Sequence, residues 1–348
     1  MDPCHARHSI TTLKPRPTRS ITAAMALFGL AMATWALAQP GARGYVDMVY
    51  VPQTGKVLVF GGQSSPNPPY PALGGTWWWE PSDGTWTEVT SEPQPSPRSA
   101  GHLELHEPSG TVVHFGVGEP TGSGFRTVSE TWLFDPLAEA WTLLEFAGPT
   151  PQAEIGEMFA YHPAADVFVL FGGFTLDGFR YVNPTWHLDL DARAWTRVEP
   201  SEAPRGRNYN AFAYDPANEV LVMSGGVEEG QDETWTYDAR AESWTLVEQR
   251  AGLAEVPYAR FVWDPDAATL VRIGGLGDAA APLWAFDLAA NDWRELVPAG
   301  GAPHVSRHAA TARPGHGVVV YGGLPNGESE FTDAIWVLDV ATGIWEAR

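Results

Sequence analysis

A pair of tryptophans nine residues apart occurs six times along the chain, and an acidic residue follows the first tryptophan of each pair by three positions. A repeat with a period of roughly 50 residues is typical of one supersecondary unit arranged in an array. The chain is therefore expected to fold as six copies of that unit. The tryptophan pairs are Trp77/Trp86, Trp132/Trp141, Trp186/Trp195, Trp235/Trp244, Trp284/Trp293 and Trp336/Trp345, and the acidic residues are Glu80, Asp135, Asp189, Asp238, Asp287 and Asp339.

Two further markers precede each tryptophan pair. A run of β-branched or aromatic residues ends at a glycine pair, and a proline lies eight or nine residues before the first glycine. Runs of this kind between turn residues predict strands, and glycine permits positive φ or close backbone approach where they end. The first glycines are Gly61, Gly116, Gly172, Gly225, Gly274 and Gly322, and the prolines are Pro52, Pro108, Pro163, Pro216, Pro265 and Pro314.

Each unit therefore contains four predicted strands. Strand a ends at the proline turn, strand b at the glycine pair, strand c carries the first tryptophan and strand d the second. A lone sheet of this kind cannot bury both faces, whereas radially stacked sheets cover one another. We predict an all-β, six-bladed β-propeller with four antiparallel strands per blade, in one domain of residues 39–348. The blades are expected near 43–93, 98–149, 154–202, 207–251, 256–299 and 306–348.

Closure of the ring is a separate question. The repeats begin with a strand a near Tyr45, and the last strand d runs almost to Arg348. Because no strand is left over to complete a blade from the other terminus, we expect blades six and one to meet by side-chain packing alone, or the chain to be truncated. The tryptophans themselves are expected to be core residues rather than a platform for sugars.

A glycine pair that closes a β run, followed by a spaced tryptophan pair with an acidic residue between, resembles the kelch repeat of galactose-oxidase-type β-propellers. The resemblance covers residues 43–348. Three departures occur: Val117 follows Gly116 in place of a second glycine, and Leu283 and Ile335 replace the threonine that precedes the other first tryptophans. Galactose oxidase holds copper beside a tyrosine linked to a cysteine. The only cysteine here is Cys4, which belongs to an N-terminal segment, residues 1–38, that is expected to be removed as a signal peptide. Without it that cofactor cannot form, and no cofactor is expected.

Residues 21–38 form an uncharged apolar run preceded by Lys14, Arg16 and Arg19, and the run ends in a small-x-small site at Ala36–Ala38. This pattern is typical of a secretory signal, which predicts a secreted or periplasmic protein with no membrane attachment after cleavage. An uncleaved anchor is the alternative, because 18 residues are near the lower limit for spanning a bilayer. The formal net charge of −21 makes nucleic acid an unlikely partner.

Antiparallel order places the b–c loops and the d–a linkers on one rim, and long variable loops on a rigid scaffold often bind ligands. Arginines recur in the linkers, and the loops of blades two and three share Gly-Phe-Arg. We predict that this rim binds a protein or a glycan through Arg98, Phe125, Arg126, Phe179, Arg180, Tyr181, Arg207 and Arg307. The arginines could instead pair with acidic loops and tie the blades together, and the shared tripeptide could reflect repeat duplication.

An enzyme is the competing hypothesis. Kelch-type enzymes that isomerise exported sialic acid match the chain in size and compartment, and such chemistry needs an acid/base pair near the channel mouth. Weak candidates are Glu157, His102 and His308, which lie near the starts of strands a. No metal site is expected, although the acidic loop 228–233 leaves calcium open. We favour a monomeric binding module, because a fold alone does not confer activity.

Overall fold

The computed structural model describes residues 39–121, 124–227, 233–249, 256–276, 283–298 and 303–348, and the regular structure in these ranges is entirely β-strand. The strands form six sheets of four antiparallel strands, each with its strands in the order a-b-c-d. The predicted six-bladed propeller is confirmed. The proposed leader, residues 1–38, lies outside the described residues.

Blades one and two have four strands each, and blade three has a small two-stranded hairpin in addition to its four strands. Blade one consists of β1 Asp47–Val51, β2 Lys56–Phe60, β3 Thr76–Glu80 and β4 Thr85–Val89. Blade two consists of β5 His102–His106, β6 Thr111–Thr121, β7 Gly124–Asp135 and β8 Ala140–Leu144. Blade three consists of β9 Met158–His162, β10 Val167–Phe171, the small hairpin β11 Phe174–Thr175 and β12 Arg180–Tyr181, then β13 Thr185–Asp189 and β14 Ala194–Val198.

Blades four to six repeat the arrangement. Blade four consists of β15 Ala211–Asp215, β16 Val220–Ser224, β17 Glu233–Asp238 and β18 Ser243–Gln249. Blade five consists of β19 Arg260–Asp264, β20 Thr269–Ile273, β21 Leu283–Asp287 and β22 Asp292–Leu296. Blade six consists of β24 Ala309–Arg313, β25 Gly317–Tyr321, β27 Ile335–Asp339 and β28 Ile344–Ala347, and β23 Val305–Ser306 pairs with β26 Leu324–Pro325 beside it.

The innermost strands contact one another in a closed circle, in the order β1, β5, β9, β15, β19, β24 and back to β1. An apolar cluster fills each of the six interfaces between neighbouring blades. Blades six and one are joined by backbone as well, since Gly323 N–H donates to the Arg43 carbonyl at 2.8 Å and Arg43 N–H donates to the Thr332 carbonyl at 3.2 Å. The expectation of side-chain packing alone was therefore wrong, because it ignored the backbone of the segment before β1.

The same backbone contact explains the glycine pairs. The second glycine of blades one, three and six donates its N–H to the linker arginine of the next blade, at 2.8–2.9 Å. Both glycines have positive φ in all five intact pairs, and a Cβ on the first would lie only 2.3–2.6 Å from the neighbouring linker's carbonyl oxygen in blades one, three, five and six. A side chain would thus separate the blades. The donors are Gly62, Gly173 and Gly323, and the acceptors are the carbonyls of Arg98, Arg207 and Arg43.

The tryptophans are core residues, as predicted: all twelve repeat tryptophans are buried or half-buried. The second tryptophan of a blade pairs across strands c and d with the residue two positions after the first, for example Tyr237 with Trp244. Its indole also reaches the preceding blade, where Trp141 Nε1–H donates to Thr76 Oγ1 at 2.8 Å and Trp244 Nε1–H donates to Thr185 Oγ1 at 3.1 Å. In blades one and three the threonine before the first tryptophan therefore serves as an acceptor between blades, whereas Thr131 Oγ1 and Trp195 Nε1 have no hydrogen-bond partner among the described residues.

Arg272 departs from the repeat. It lies on β20, is 2% exposed and packs with its guanidinium 4.9 Å from the Trp293 ring. None of its three guanidinium nitrogens has a hydrogen-bond partner in the described ranges, and burial lowers its pKa to about 10. The residues two positions before the first glycine in the other blades are Val59, His114, Leu170, Met223 and Val320. An ionised group without a carboxylate partner is costly in such surroundings.

We expect Arg272→Met to raise the free energy of unfolding by about 1–2 kcal/mol, because well-packed apolar replacements of buried charges are often stabilising. Met223 occupies the same repeat position in blade four, so the side chain fits an interface of this geometry. Urea unfolding followed by circular dichroism measures the change. Arg197→Met, at a side chain that is 57% exposed, is the control and should change stability by less than about 0.5 kcal/mol. A destabilised Arg272→Met protein would show that the guanidinium is held by favourable contacts.

Candidate functional site

A ring of six equivalent residues surrounds the channel on the rim of b–c loops and d–a linkers. Each stands two positions before strand a and has a φ between 51° and 67°. Four of them donate their backbone N–H to the carbonyl of the equivalent residue in the preceding blade, at 2.8–3.0 Å. The positive φ turns each N–H towards its neighbour, so the linkers form a hydrogen-bonded collar. The six residues are Tyr45, Ala100, Gly156, Tyr209, Tyr258 and Arg307.

The large side chains of this ring close the channel. The ring centroids of Tyr209 and Tyr258 are 4.4 Å apart, and Tyr45 lies 5.8–5.9 Å from both. The Arg307 guanidinium stacks 4.3 Å from the Tyr258 ring and donates from Nε to the Tyr45 hydroxyl at 2.7 Å. We call these four residues the plug. They give the rim a floor made of aromatic faces and one cation.

A depression with a volume of about 300 Å³ lies on this floor. Tyr45, Tyr209 and Arg307 form its base, and the blade-one loop contributes Tyr70 to its side. The remaining lining residues come from b–c loops and d–a linkers of blades one to three, and are Gln63, Pro66, Ser99, Ala100, Val117, Gly118, Thr127 and Ile155. The depression thus lies on the rim that the sequence predicted for binding.

One wall of the depression is a hairpin formed by the long strands b and c of blade two. Strands β6 and β7 are 11 and 12 residues long, whereas strand b is five residues long in the other blades. Gly116 is followed by Val117 and neither has positive φ, so the chain does not turn where the other blades turn. Strand b continues instead, and its register with β7 shifts between Gly116 and Gly118. The broken glycine pair seen in the sequence is the cause of this wall.

A second, smaller hairpin of β11 and β12 stands beside the depression in blade three. It is joined to the lining through Ile155, which exchanges two backbone hydrogen bonds with Phe174 at 2.9 and 3.1 Å. Phe179 at its tip is 75% exposed and has a φ of 48°, a conformation that bulky residues rarely adopt. It is the one aromatic side chain among the large exposed hydrophobics of the described residues. Strained, exposed residues of this kind are candidates for recognition.

The remaining binding residues predicted in these loops are Phe125, Arg126, Arg180 and Tyr181. Arg180 is exposed, and Tyr181 packs its ring 5.1 Å from Phe174. The Arg126 side chain is 67% exposed and forms an ion pair with Glu119 on the opposite strand of the blade-two hairpin. The backbone of Phe125 belongs to β7, but its side chain falls outside the described residues. Phe179, Arg180 and Tyr181 lie together on the blade-three hairpin.

The linker arginines have two different environments. Arg98 and Arg207 are each 1% exposed and pair with Glu130 at 2.8 Å and Glu233 at 2.6 Å. The same carboxylates accept from the indole N–H of the tryptophan two residues later, at 2.9 Å in both blades. These two arginines therefore follow the alternative interpretation, in which they tie loops together, and do not face the depression. Arg307 differs because it stands two positions later in the repeat and lines the floor.

His102, Glu157 and His308 are buried below the plug, with exposures of 5%, 1% and 0%. Burial lowers the pKa of both histidines to about 3 and raises the pKa of Glu157 well above its usual value. His102 Nε2 lies 2.7 Å from the Glu157 carbonyl oxygen, so Nε2 carries the proton. His102 and Glu157 line a cavity of about 30 Å³, which is about the volume of one water molecule. The cavity beside His102 and Glu157 is therefore too small for a sugar.

Further down the channel lies a charged group that the sequence did not indicate. Asp47 is 3.9 Å from the Arg260 guanidinium and 3.6 Å from His102 Nδ1. Burial, followed by the charge of Asp47, raises the pKa of Glu104 to about 8. One arginine thus serves two carboxyl groups, and the channel keeps Glu104 protonated at neutral pH.

The described residues contain neither a cluster of metal ligands nor a membrane-spanning helix. In the described ranges, no three His, Cys, Asp or Glu side chains come together as metal ligands. Residues 228–232 of the acidic loop lie outside these ranges, and Glu233 is the carboxylate that pairs with Arg207. The described part of the chain contains no helix with the length and apolar character needed to span a bilayer.

The tyrosines of the plug were missed in the sequence. Aligning the six repeats on the start of strand a would have placed Tyr45, Tyr209 and Tyr258 at one position, in register with Arg307. That alignment is the signal that could have found them. In a comparison with family models, the one described as the KLHDC2/KLHL20/DRC7 Kelch-repeats domain matches residues 46–275.

Proposed function

The chain belongs to the kelch-repeat family of β-propellers, and on that premise we propose that it is a protein-binding module whose partner docks on the rim of b–c loops and d–a linkers. Kelch propellers commonly serve as protein-interaction modules. The observation that supports this use of the rim is the depression of about 300 Å³ with its floor of tyrosines and Arg307. Aromatic and arginine side chains are enriched where proteins bind one another.

The two hairpins would extend the contact beyond the depression. Phe179 and Arg180 are exposed at the tip of the blade-three hairpin, so burying them in a complex removes apolar area from water without disturbing the blades. Arg126 would add a cation from the blade-two hairpin. We infer that the module works outside the cytoplasm, and this part of the proposal rests on the apolar run 21–38.

Binding is preferred to catalysis because of where the titratable groups lie. His102 and Glu157 sit below the plug and line a cavity too small for a sugar, and His308 is fully buried. The depression itself is lined by tyrosines, amides, hydroxyls and one arginine, and by no Asp, Glu or His among the described residues. A general acid or base for sugar chemistry would need such a group within hydrogen-bond reach of the substrate.

We expect the double variant Phe179→Ser/Arg180→Ser to bind the partner at least about tenfold more weakly, which corresponds to about 1.4 kcal/mol. The partner is first captured on the wild-type protein and identified by mass spectrometry, and its dissociation constant is then measured by calorimetry. Because both side chains are exposed, the melting temperature should not change. A purified glycan titrated in parallel shows whether the ligand is carbohydrate instead.

Leu137→Ser is the matched control. Leu137 is 77% exposed but lies in the c–d turn of blade two, on the opposite rim, so its replacement should leave the affinity unchanged. If the hairpin variant binds like the wild type while the control weakens binding, the partner docks on the other rim and the proposal fails.

A further inference from the structure

The depression offers many hydrogen-bond donors. Its described lining includes the hydroxyl groups of Tyr45, Tyr209, Ser99 and Thr127 and the guanidinium of Arg307, each of which can donate. Carboxylates, which only accept, are missing from that lining, although the chain contains 42 acidic residues. A ligand with exposed hydrogen-bond acceptors therefore finds donors in this lining and meets no ionised carboxylate among its described residues.

The rest of the lining is apolar and flat. The Tyr45 and Tyr209 rings are tilted by 51° at a centroid distance of 5.8 Å, and both line the depression. Tyr70 contributes a third ring, and Pro66, Val117 and Ile155 fill the sides. Arg307 belongs to this surface, because its guanidinium stacks on Tyr258 and its Nε and Nη1 donate to Tyr45 and to Ser306. The guanidinium of Arg307 is thus held in place by contacts with other residues of the floor.

A proline-rich segment has the complementary chemistry. Proline has a carbonyl acceptor but no N–H donor, and in the polyproline II helix the carbonyls point outwards with no internal hydrogen bonds. Its rings pack against aromatic faces, and the preformed helix loses little entropy on binding. We propose that the depression binds a proline-rich, polyproline II segment of the partner, an inference that rests on the proposed function.

Decaproline of the natural hand is the probe, titrated into the purified protein while the tyrosine and tryptophan emission is followed and repeated by calorimetry. We expect saturable binding with a dissociation constant below about 1 mM. Mirror-image decaproline has the same composition and the opposite helical hand, so it should bind at least tenfold more weakly. A Gly/Ser decapeptide should not bind.

Variants locate the probe. Tyr70→Ala should weaken decaproline binding at least fivefold, whereas Tyr70→Phe, which keeps the aromatic face, should keep most of the affinity. Thr127→Glu, on the exposed hairpin wall, places a carboxylate against the carbonyl groups of the ligand and should weaken binding too. Leu137→Ser on the opposite rim should have no effect, and all four proteins are compared at equal melting temperature or corrected for folded fraction.

Two outcomes would overturn the inference. One is the absence of saturable decaproline binding by the folded protein, and the other is equal binding of the two mirror-image peptides. If either occurs while the captured partner still loses affinity in the Phe179→Ser/Arg180→Ser variant, the rim binds a segment of different chemistry and the proposed function stands. If the partner's affinity is also unaffected by that variant, the proposed function fails as well.

Discussion

Replacing Trp235 with alanine is expected to lower the free energy of unfolding by about 3–5 kcal/mol, the usual cost of a large-to-small change at a buried aromatic. Trp235 is 8% exposed and lies in the apolar cluster between blades three and four. Its indole N–H also donates to Glu233, the carboxylate that pairs with the buried Arg207. The substitution therefore removes core volume and loosens the Arg207–Glu233 ion pair that fixes the linker into blade four. Urea unfolding followed by tryptophan emission measures the loss.

Phe179→Ala is the control for this substitution, because it also removes an aromatic ring but from a site that is 75% exposed. Its effect should stay within about 0.5 kcal/mol. If Trp235→Ala costs less than about 1 kcal/mol, the indole contributes far less than a buried aromatic should, and the role of the repeat tryptophans as core residues would have to be abandoned.

Replacing Gly322 with alanine is expected to destabilise the protein by about 2–5 kcal/mol, the sum of left-handed backbone strain and overpacking. The φ of Gly322 is +69°, and a Cβ there would lie 2.5 Å from the carbonyl oxygen of Arg43. That carbonyl accepts the N–H of Gly323 across the junction between blades six and one. The new methyl group would push the two blades apart where the ring closes. Thermal unfolding by calorimetry measures the change.

Gly55→Ala separates the two contributions. Gly55 has nearly the same φ, +71°, but no atom lies within 4 Å of the position its Cβ would take. It should therefore show only the backbone strain, about 1 kcal/mol. Equal losses for the two substitutions would mean that the close approach at the junction contributes nothing and that strain alone explains the glycines.

The repeat markers were sufficient to predict the blades, because they report local physics. A glycine pair is required where strand b ends against the next linker, and the tryptophan spacing follows from the pairing of strands c and d. Even the threonine before the first tryptophan has a local reason. In blades one and three it accepts from an indole of the following blade; where Leu283 replaces it, Trp345 Nε1 has no acceptor in the described part of the chain, and Trp195 Nε1 also lacks one although Thr131 is present.

The site was only partly predictable, since it depends on contacts between distant repeats. The rim was predicted from strand order, but of the eight predicted binding residues Arg307 alone belongs to the described lining of the depression. Sequence could not show that Arg98 and Arg207 are buried on carboxylates while Arg307 is not, because all three precede a strand a. Arg98 and Arg207 stand four residues before strand a, and Arg307 stands two residues before it. This difference decides whether the guanidinium points into the blade or across the channel.

The length of the blade-two hairpin has a consequence for how a partner is oriented. Six similar blades alone would present almost the same surface every 60°, so a ligand could settle in several rotational settings about the central axis. The long hairpin of blade two, formed because Val117 stands where a glycine would turn the chain, makes one direction on this face different from the others. A protein docked on this face would then bind in one rotational orientation about the central axis. Any domain attached to that protein would project from the propeller at a defined angle.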